Sequence, residues 1–232
     1  MIKALRAWLV QQLRDPLRQQ LAEQLLLEVP PAAVADYALP PYVRHKRVNH
    51  PLLKRVWRKN PLYRWVAARA PLLLPGDWDI ETKPFRQMPT YVFLADLQAC
   101  AFDYRRTAYF QQLLGELHAG RVRAYKALQL DSEEALERLF QGYVQVFRSM
   151  SADGYRPEKA VDAICVMVGR DGRLIKEEKG RHRLAIAQLV GVPKVPVLIR
   201  HIHPGWLASL GEDAARPSAA AVRRALQALS LE

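Results

Sequence analysis

The sequence predicts an α/β fold of the α+β kind, a small mixed sheet packed by helices with an α-helical N-terminal region, and three observations carry that expectation. Ala163-Ile164-Cys165-Val166-Met167-Val168 is a short apolar run with β-branched residues, and Asp171-Gly172 just beyond it is a hairpin signal. Gly180 stands between the returning strand and a helix from Arg181 to Val190, closed by Gly191, and Val195 to Ile199 then reads as a further buried strand. Elsewhere the apolar residues recur at three to four residue spacing, the mark of amphipathic helices.

The first such stripe is Leu5, Leu9 and Leu13. Asp15-Pro16 restarts it as a cap and a first helical position, so Leu17, Leu21 and Leu25 are expected to continue a second helix to Pro30-Pro31. With Lys3, Arg6, Arg14 and Arg18 close by, these helices suit either packing on the rest of the chain or peripheral contact with a membrane surface. Asn49 ahead of Pro51 and Asn60-Pro61 start two more short helices. Pro71 to Pro89, rich in turn formers, reads as an ordered connection holding Gly76-Asp77-Trp78-Asp79 in a loop. About Tyr104 to His118 is expected to be helical, with Gly120 as a stop. A longer helix follows from Ser132, started by Asp131 with Glu134 in a capping-box-like arrangement and carrying Leu136, Leu139, Phe140, Tyr143, Phe147 and Met150. Pro217 to Leu231 reads as a last helix. The organisation this suggests is a basic helical region over 1–70, a domain over 71–206 with a helical insert, and a C-terminal helix over 207–232.

Composition narrows the function classes. The 232 residues carry a formal charge of +12, from 35 Lys and Arg against 23 Asp and Glu. The excess is concentrated. Between Tyr37 and Gly76 there is no acidic residue, while Arg44, Lys46, Arg47, Lys54, Arg55, Arg58, Lys59, Arg64 and Arg69 are basic, with Trp57, Tyr63 and Trp65 among them. Such a stretch fits nucleic acid, an anionic membrane surface, a polyanionic substrate or simply a solvated face. No apolar run is long enough to cross a bilayer, and the N-terminus lacks the apolar core of a secretory signal, so the expected location is cytoplasmic, or peripheral to the inner face of the membrane. Cys100 and Cys165 are too few for a disulfide framework and read as buried thiols.

The chemistry concentrates at Gly180-Arg181-His182-Arg183. A glycine there lets the backbone turn sharply, and a helix start presents N–H groups to an anion. Arg181 and Arg183 add guanidinium forks that match phosphate oxygens, and His182 adds a further donor or a proton shuttle. Upstream, Asp77 and Asp79 can share a divalent cation, position a nucleophile or simply stabilise a turn.

At these residues the sequence resembles the ParB/sulfiredoxin-like superfamily, in which a strand leads into Gly-x-His-Arg or Gly-Glu-Arg-Arg and then a helix. The match runs from Asp162 to Trp206 through Gly180-Arg181-His182-Arg183, Leu184-Ala185-Ile186-Ala187, Gly191 and Val195-Pro196-Val197, and Gly76-Asp77-Trp78-Asp79 extends it upstream. The resemblance implies a nucleotide-binding domain, a nucleoside triphosphate or diphosphate (ATP, ADP or CTP) and an accompanying Mg2+. It does not imply one reaction, since that superfamily includes partition CTPases, sulfiredoxins, a serine kinase and proteins described as nucleases. Arg181 stands where sulfiredoxin has its reactive cysteine, and only about thirty residues follow Pro204, too few for a partition protein's DNA-binding domain. Three expectations remain. One is a nucleotide-dependent phosphotransferase acting on a small molecule or an envelope sugar or lipid, with Asp77, Asp79 or Asp162 as acid and His182 beside it. The second is a nucleic-acid-binding protein or nuclease, in which residues 44–69 grip phosphates and the Gly180 turn serves the scissile one. The third is a module that senses a nucleotide without chemistry.

Overall fold

The computed structural model describes residues 15–38, 71–125, 128–159 and 163–229. The stripe around Leu5, Leu9 and Leu13, the basic stretch from Arg44 to Arg69, and Asp162 lie outside the described residues.

The apolar run Ile164–Val168 forms strand β6, buried at all five positions. Alternating side chains bury on both sides only when both faces of a sheet are covered. Val166 and Val168 join the main core, while Met167 packs with its cross-strand partner Ile175, Trp78 and Ala38 in a second, smaller cluster. Asp171-Gly172 makes the expected turn, with Gly172 at φ +84°, and the chain returns antiparallel as β7 (Leu174–Lys176). α5 (Arg181–Val190) follows, and Gly191 closes it in the left-handed conformation. β8 (Val195–Ile202) then lies parallel to β6 and runs three residues beyond the expected Ile199.

The sheet has six strands, and the N-terminal region supplies two of them. β1 (Leu26–Val29) pairs antiparallel with β8, and β2 (Asp36–Tyr37) lies between β7 and β3 (Lys83–Pro84), giving the order β1-β8-β6-β7-β2-β3. This corrects the expectation of a purely helical N-terminal region. Asp15 does cap α1 (Pro16–Leu21), its carboxylate accepting from Leu17 N–H at 2.9 Å, but the helix ends at Leu21 rather than continuing through Leu25. The run Leu25-Leu26-Leu27 fits a period of two as well as one of 3.6, and burial of Leu27 and Val29 with exposure of their neighbours shows that the strand period prevails. α1 is anchored by its buried Arg18, which donates to the carbonyls of Pro71 and Arg200 beside the buried His201.

The remaining helices cover the main core. α2 (Pro89–Ala99) and α4 (Glu133–Asp153) pack on α5, and α3 (Ala108–His118) packs on α4. The expected helix from Tyr104 is a short 3-10 turn, Tyr104–Arg106, after which Thr107 caps α3. Ser132 caps α4 by accepting from Ala135 N–H, in place of the expected Asp131. Between α3 and α4 a small hairpin pairs β4 (Arg123–Tyr125) with β5 (Leu128–Leu130). α6 (Pro204–Ser209) follows β8, and α7 (Ala219–Leu229) packs on α1.

Candidate phosphate site at the start of α5

Gly180 has φ +79°, and a Cβ there would stand 2.6 Å from the Ile164 Cα and 2.7 Å from the Ala163 carbonyl oxygen. Both neighbours are backbone of the central strand, so this turn accepts only glycine. The first bond within α5 runs from Leu184 N–H to the Gly180 carbonyl, and Gly180 has no side chain to cap the helix. The helix therefore makes no use of the N–H groups of Arg181, His182 and Arg183.

Beneath the turn lies Lys176, wholly buried at the end of β7. Its ammonium donates to the carbonyls of Cys165, at 2.7 Å, Glu177 and Lys179, tying the strand end to the turn. Burial pushes its pKa down to about 8; Cys165 and the Glu177 carboxylate oppose that shift, and Arg181 and Arg183 add to it. The start of α5 thus gathers positive charge from two guanidiniums, a buried amine and the helix end, with one buried carboxylate, Glu177, beside the amine. Among the described residues no carboxylate pairs with Arg181 or Arg183, and Arg183 donates from Nη1 to the Tyr155 hydroxyl at 3.2 Å. Burial raises the Tyr155 pKa, and the neighbouring Arg183 only partly offsets this, so the phenol stays neutral.

His182 sits in an aromatic surround. It stacks on Tyr143 with ring centroids 5.3 Å apart and meets Tyr125 edge-on at 6.1 Å, and both hydroxyls lie 3.4 Å from Nε2. Phe93 closes a third side at 6.3 Å. Burial and the Tyr125 hydroxyl raise the Tyr143 pKa strongly, so this phenol is neutral too. The imidazole's Nε2 is thereby turned toward two tyrosines.

Asp77 and Asp79 are held at the opposite end of β6. Arg170, two residues past that strand, donates from Nε and Nη2 to Asp79 at 2.9 to 3.2 Å and from its backbone N–H at 2.7 Å. Its Nη2 also reaches Asp77 at 2.9 Å and the Gly76 carbonyl at 3.1 Å. Asp79 is only 4% exposed; burial raises its pKa, but the bonds from Arg170 outweigh that, and the carboxyl titrates below its ordinary range. Trp78, donating to the Leu74 carbonyl, packs this loop over the second face of the sheet. The loop is therefore a clamped cover. Gly180 abuts the first residue of β6, whereas the clamp begins just past its last, roughly 13 Å along the strand at about 3.3 Å per residue. Asp77 and Asp79 thus stand at one end of β6 and the Gly180 turn at the other, and Asp162 lies outside the described residues.

Sequence reasoning missed Lys176, Tyr125 and Tyr155 and placed Tyr143 only in a core stripe. Lys176 had one signal, a lysine in a strand otherwise buried, Leu174-Ile175-Lys176. The tyrosines had none, because they reach the turn from β4, α4 and the segment after Gly154. Among the described residues no group of three or more His, Cys, Asp or Glu side chains is placed to hold a metal, and no helix is long and apolar enough to cross a membrane. Both cysteines are free; Cys165 is buried and Cys100 half-buried. Comparison with protein-family models, with curated proteins and with solved structures gives no match.

Proposed function

We propose that this chain is a nucleotide-binding module of the ParB/sulfiredoxin-like type, which holds phosphate groups at the start of α5 and acts by binding rather than by chemistry. The observation that carries this reading is the convergence of Gly180, the first turn of α5, Arg181 and Arg183, with no carboxylate among the described residues paired with either arginine. Guanidinium forks and helix N–H groups suit the geometry of phosphate oxygens. Any Mg2+ would come with the nucleotide and would neutralise phosphate charge there, since Mg2+ is commonly held by one or two carboxylates and substrate oxygens rather than by a protein cage.

Binding is favoured over phosphoryl transfer because two of the three candidate acids are committed to Arg170 at the far end of β6. A kinase acting on a small molecule or an envelope sugar or lipid would have to draw on Asp162. The nucleic-acid or nuclease reading would use the same α5 turn for the scissile phosphate, but its grip on the strand rests on residues 44–69, which lie outside the described residues.

Thermal unfolding with ATP, ADP, CTP and GTP, each with and without Mg2+, tests the proposal. A ligand at a hundred times its dissociation constant adds about 2.7 kcal/mol. The expected result is stabilisation by at least one nucleotide, lost in Arg181→Ala and Arg183→Ala, with no nucleotide turnover. Turnover abolished by Asp162→Asn would establish the kinase reading instead, and no shift with any nucleotide would refute both.

A further inference from the structure

α4 contains a glycine that the helix does not require. Gly142 lies well inside Glu133–Asp153, glycine is the poorest helix former after proline, and a Cβ built there meets nothing within 4 Å. Neither backbone nor packing calls for it. Gly115 of α3 is equally open, and what distinguishes Gly142 is the cleft beside it, of about 230 Å3, whose wall includes Arg183. Gly142, Val146, Ser149 and Met150 follow one another at helical spacing along the floor. Val146 is 38% exposed there, a large apolar side chain left uncovered. The chain turns at Gly154, φ +70°, and brings Tyr155 to the far wall, where its hydroxyl meets Arg183.

Arg183 therefore belongs both to the first turn of α5 and to this cleft. We infer that the cleft receives the organic part of the ligand whose phosphate is held at the start of α5, and that this part is one ring-sized unit, a nucleobase or a sugar, lying over Gly142. The inference rests on the phosphate-binding reading above. An apolar floor of Val146 and Met150 suits the face of a ring, and the Ser149 hydroxyl suits its polar edge. The volume falls below the roughly 300–1,000 Å3 of sites for drug-sized ligands and matches a single such unit.

Calorimetric titration of the full chain with inorganic phosphate, the four common nucleoside monophosphates and glucose 6-phosphate tests this. At least one monoester is expected to bind tenfold or more tightly than phosphate. Gly142→Leu, which fills the floor with a good helix former, should bring that monoester down to the level of phosphate and leave phosphate binding unchanged. Val146→Trp fills the same space independently and should act alike if the leucine variant does not fold. The preferred monoester decides between base and sugar. Monoesters no tighter than phosphate, or untouched by both variants, would overturn the inference and leave the phosphate site standing. Failure of phosphate and every monoester to bind would overturn both.

Discussion

Replacing Gly180 and Gly191 in turn by alanine separates conformational strain from steric overlap within one helix. The two residues flank α5, both in the left-handed region, at φ +79° and φ +74°. Their surroundings differ: a Cβ at Gly191 meets nothing within 4 Å, whereas one at Gly180 would lie 2.6 Å from the Ile164 Cα and 2.7 Å from the Ala163 oxygen. An alanine forced into the left-handed region costs about 1–2 kcal/mol. That is the whole expected effect of Gly191→Ala. Gly180→Ala adds an overlap of roughly 1 Å against ordinary carbon contacts of about 3.5–4.0 Å. Relief requires moving β6, which is buried at every position, and overpacking of this kind costs a further 1–3 kcal/mol or so. The expected loss is about 2–5 kcal/mol, read as the shift of the urea midpoint at constant m-value. Because relief also displaces the first turn of α5, phosphate affinity should fall in Gly180→Ala under conditions where the variant is still folded, and stay at the parent value in Gly191→Ala. Equal destabilisation by the two substitutions would refute the close approach of the turn to β6.

The Arg170 clamp gives a second prediction: Arg170→Ala should lower the melting temperature by several degrees without weakening phosphate binding, and adding Asp79→Asn should cause little further loss. Since the folded Asp79 carboxyl titrates below its ordinary range, the clamp's stabilisation is present above that range and fades as pH falls through the lowered pKa, so parent and variant should converge in acid; a constant gap would count against the clamp. For Lys176, burial moves the folded pKa down to about 8, so the unfolded chain holds more protons between about pH 8 and 10.5. The parent should gain stability relative to Lys176→Met across that window, measured by urea unfolding at stepped pH, and an unchanging difference would show that the amine is not buried. Burial raises the Cys165 thiol to about 11 while Cys100 is half-buried, so a thiol reagent on the native protein should label Cys100 first and Cys165 only on unfolding; equal rates would contradict the burial.

What the sequence made legible, and what it did not, follows from the range over which each structure is decided. The hairpin at Asp171-Gly172, α5 from Arg181 to Val190 and the cap at Gly191 are written in adjacent residues whose backbone preferences agree with their tertiary setting. α2 has no such signature, because its buried Thr90, Phe93, Leu94 and Leu97 lie among further apolar residues and no polar face gives the helix a stripe to read. β1 was misread because three successive leucines fit either period, and only its pairing with β8, nearly 170 residues on, decides between them. The site divides in the same way. Gly180, Arg181, His182 and Arg183 are contiguous and were found together, but the pairing of Asp79 with Arg170 spans 91 residues and that of Tyr125 with His182 spans 57. The spacing of two acids in sequence does not show the cation that holds one of them, and Asp79 receives three side-chain bonds from the Arg170 guanidinium. Contacts of intermediate range likewise bring Tyr125, Tyr143 and Tyr155 to His182 and Arg183, so the surroundings of the contiguous Gly180-Arg181-His182-Arg183 segment are decided by residues 28 to 57 positions away.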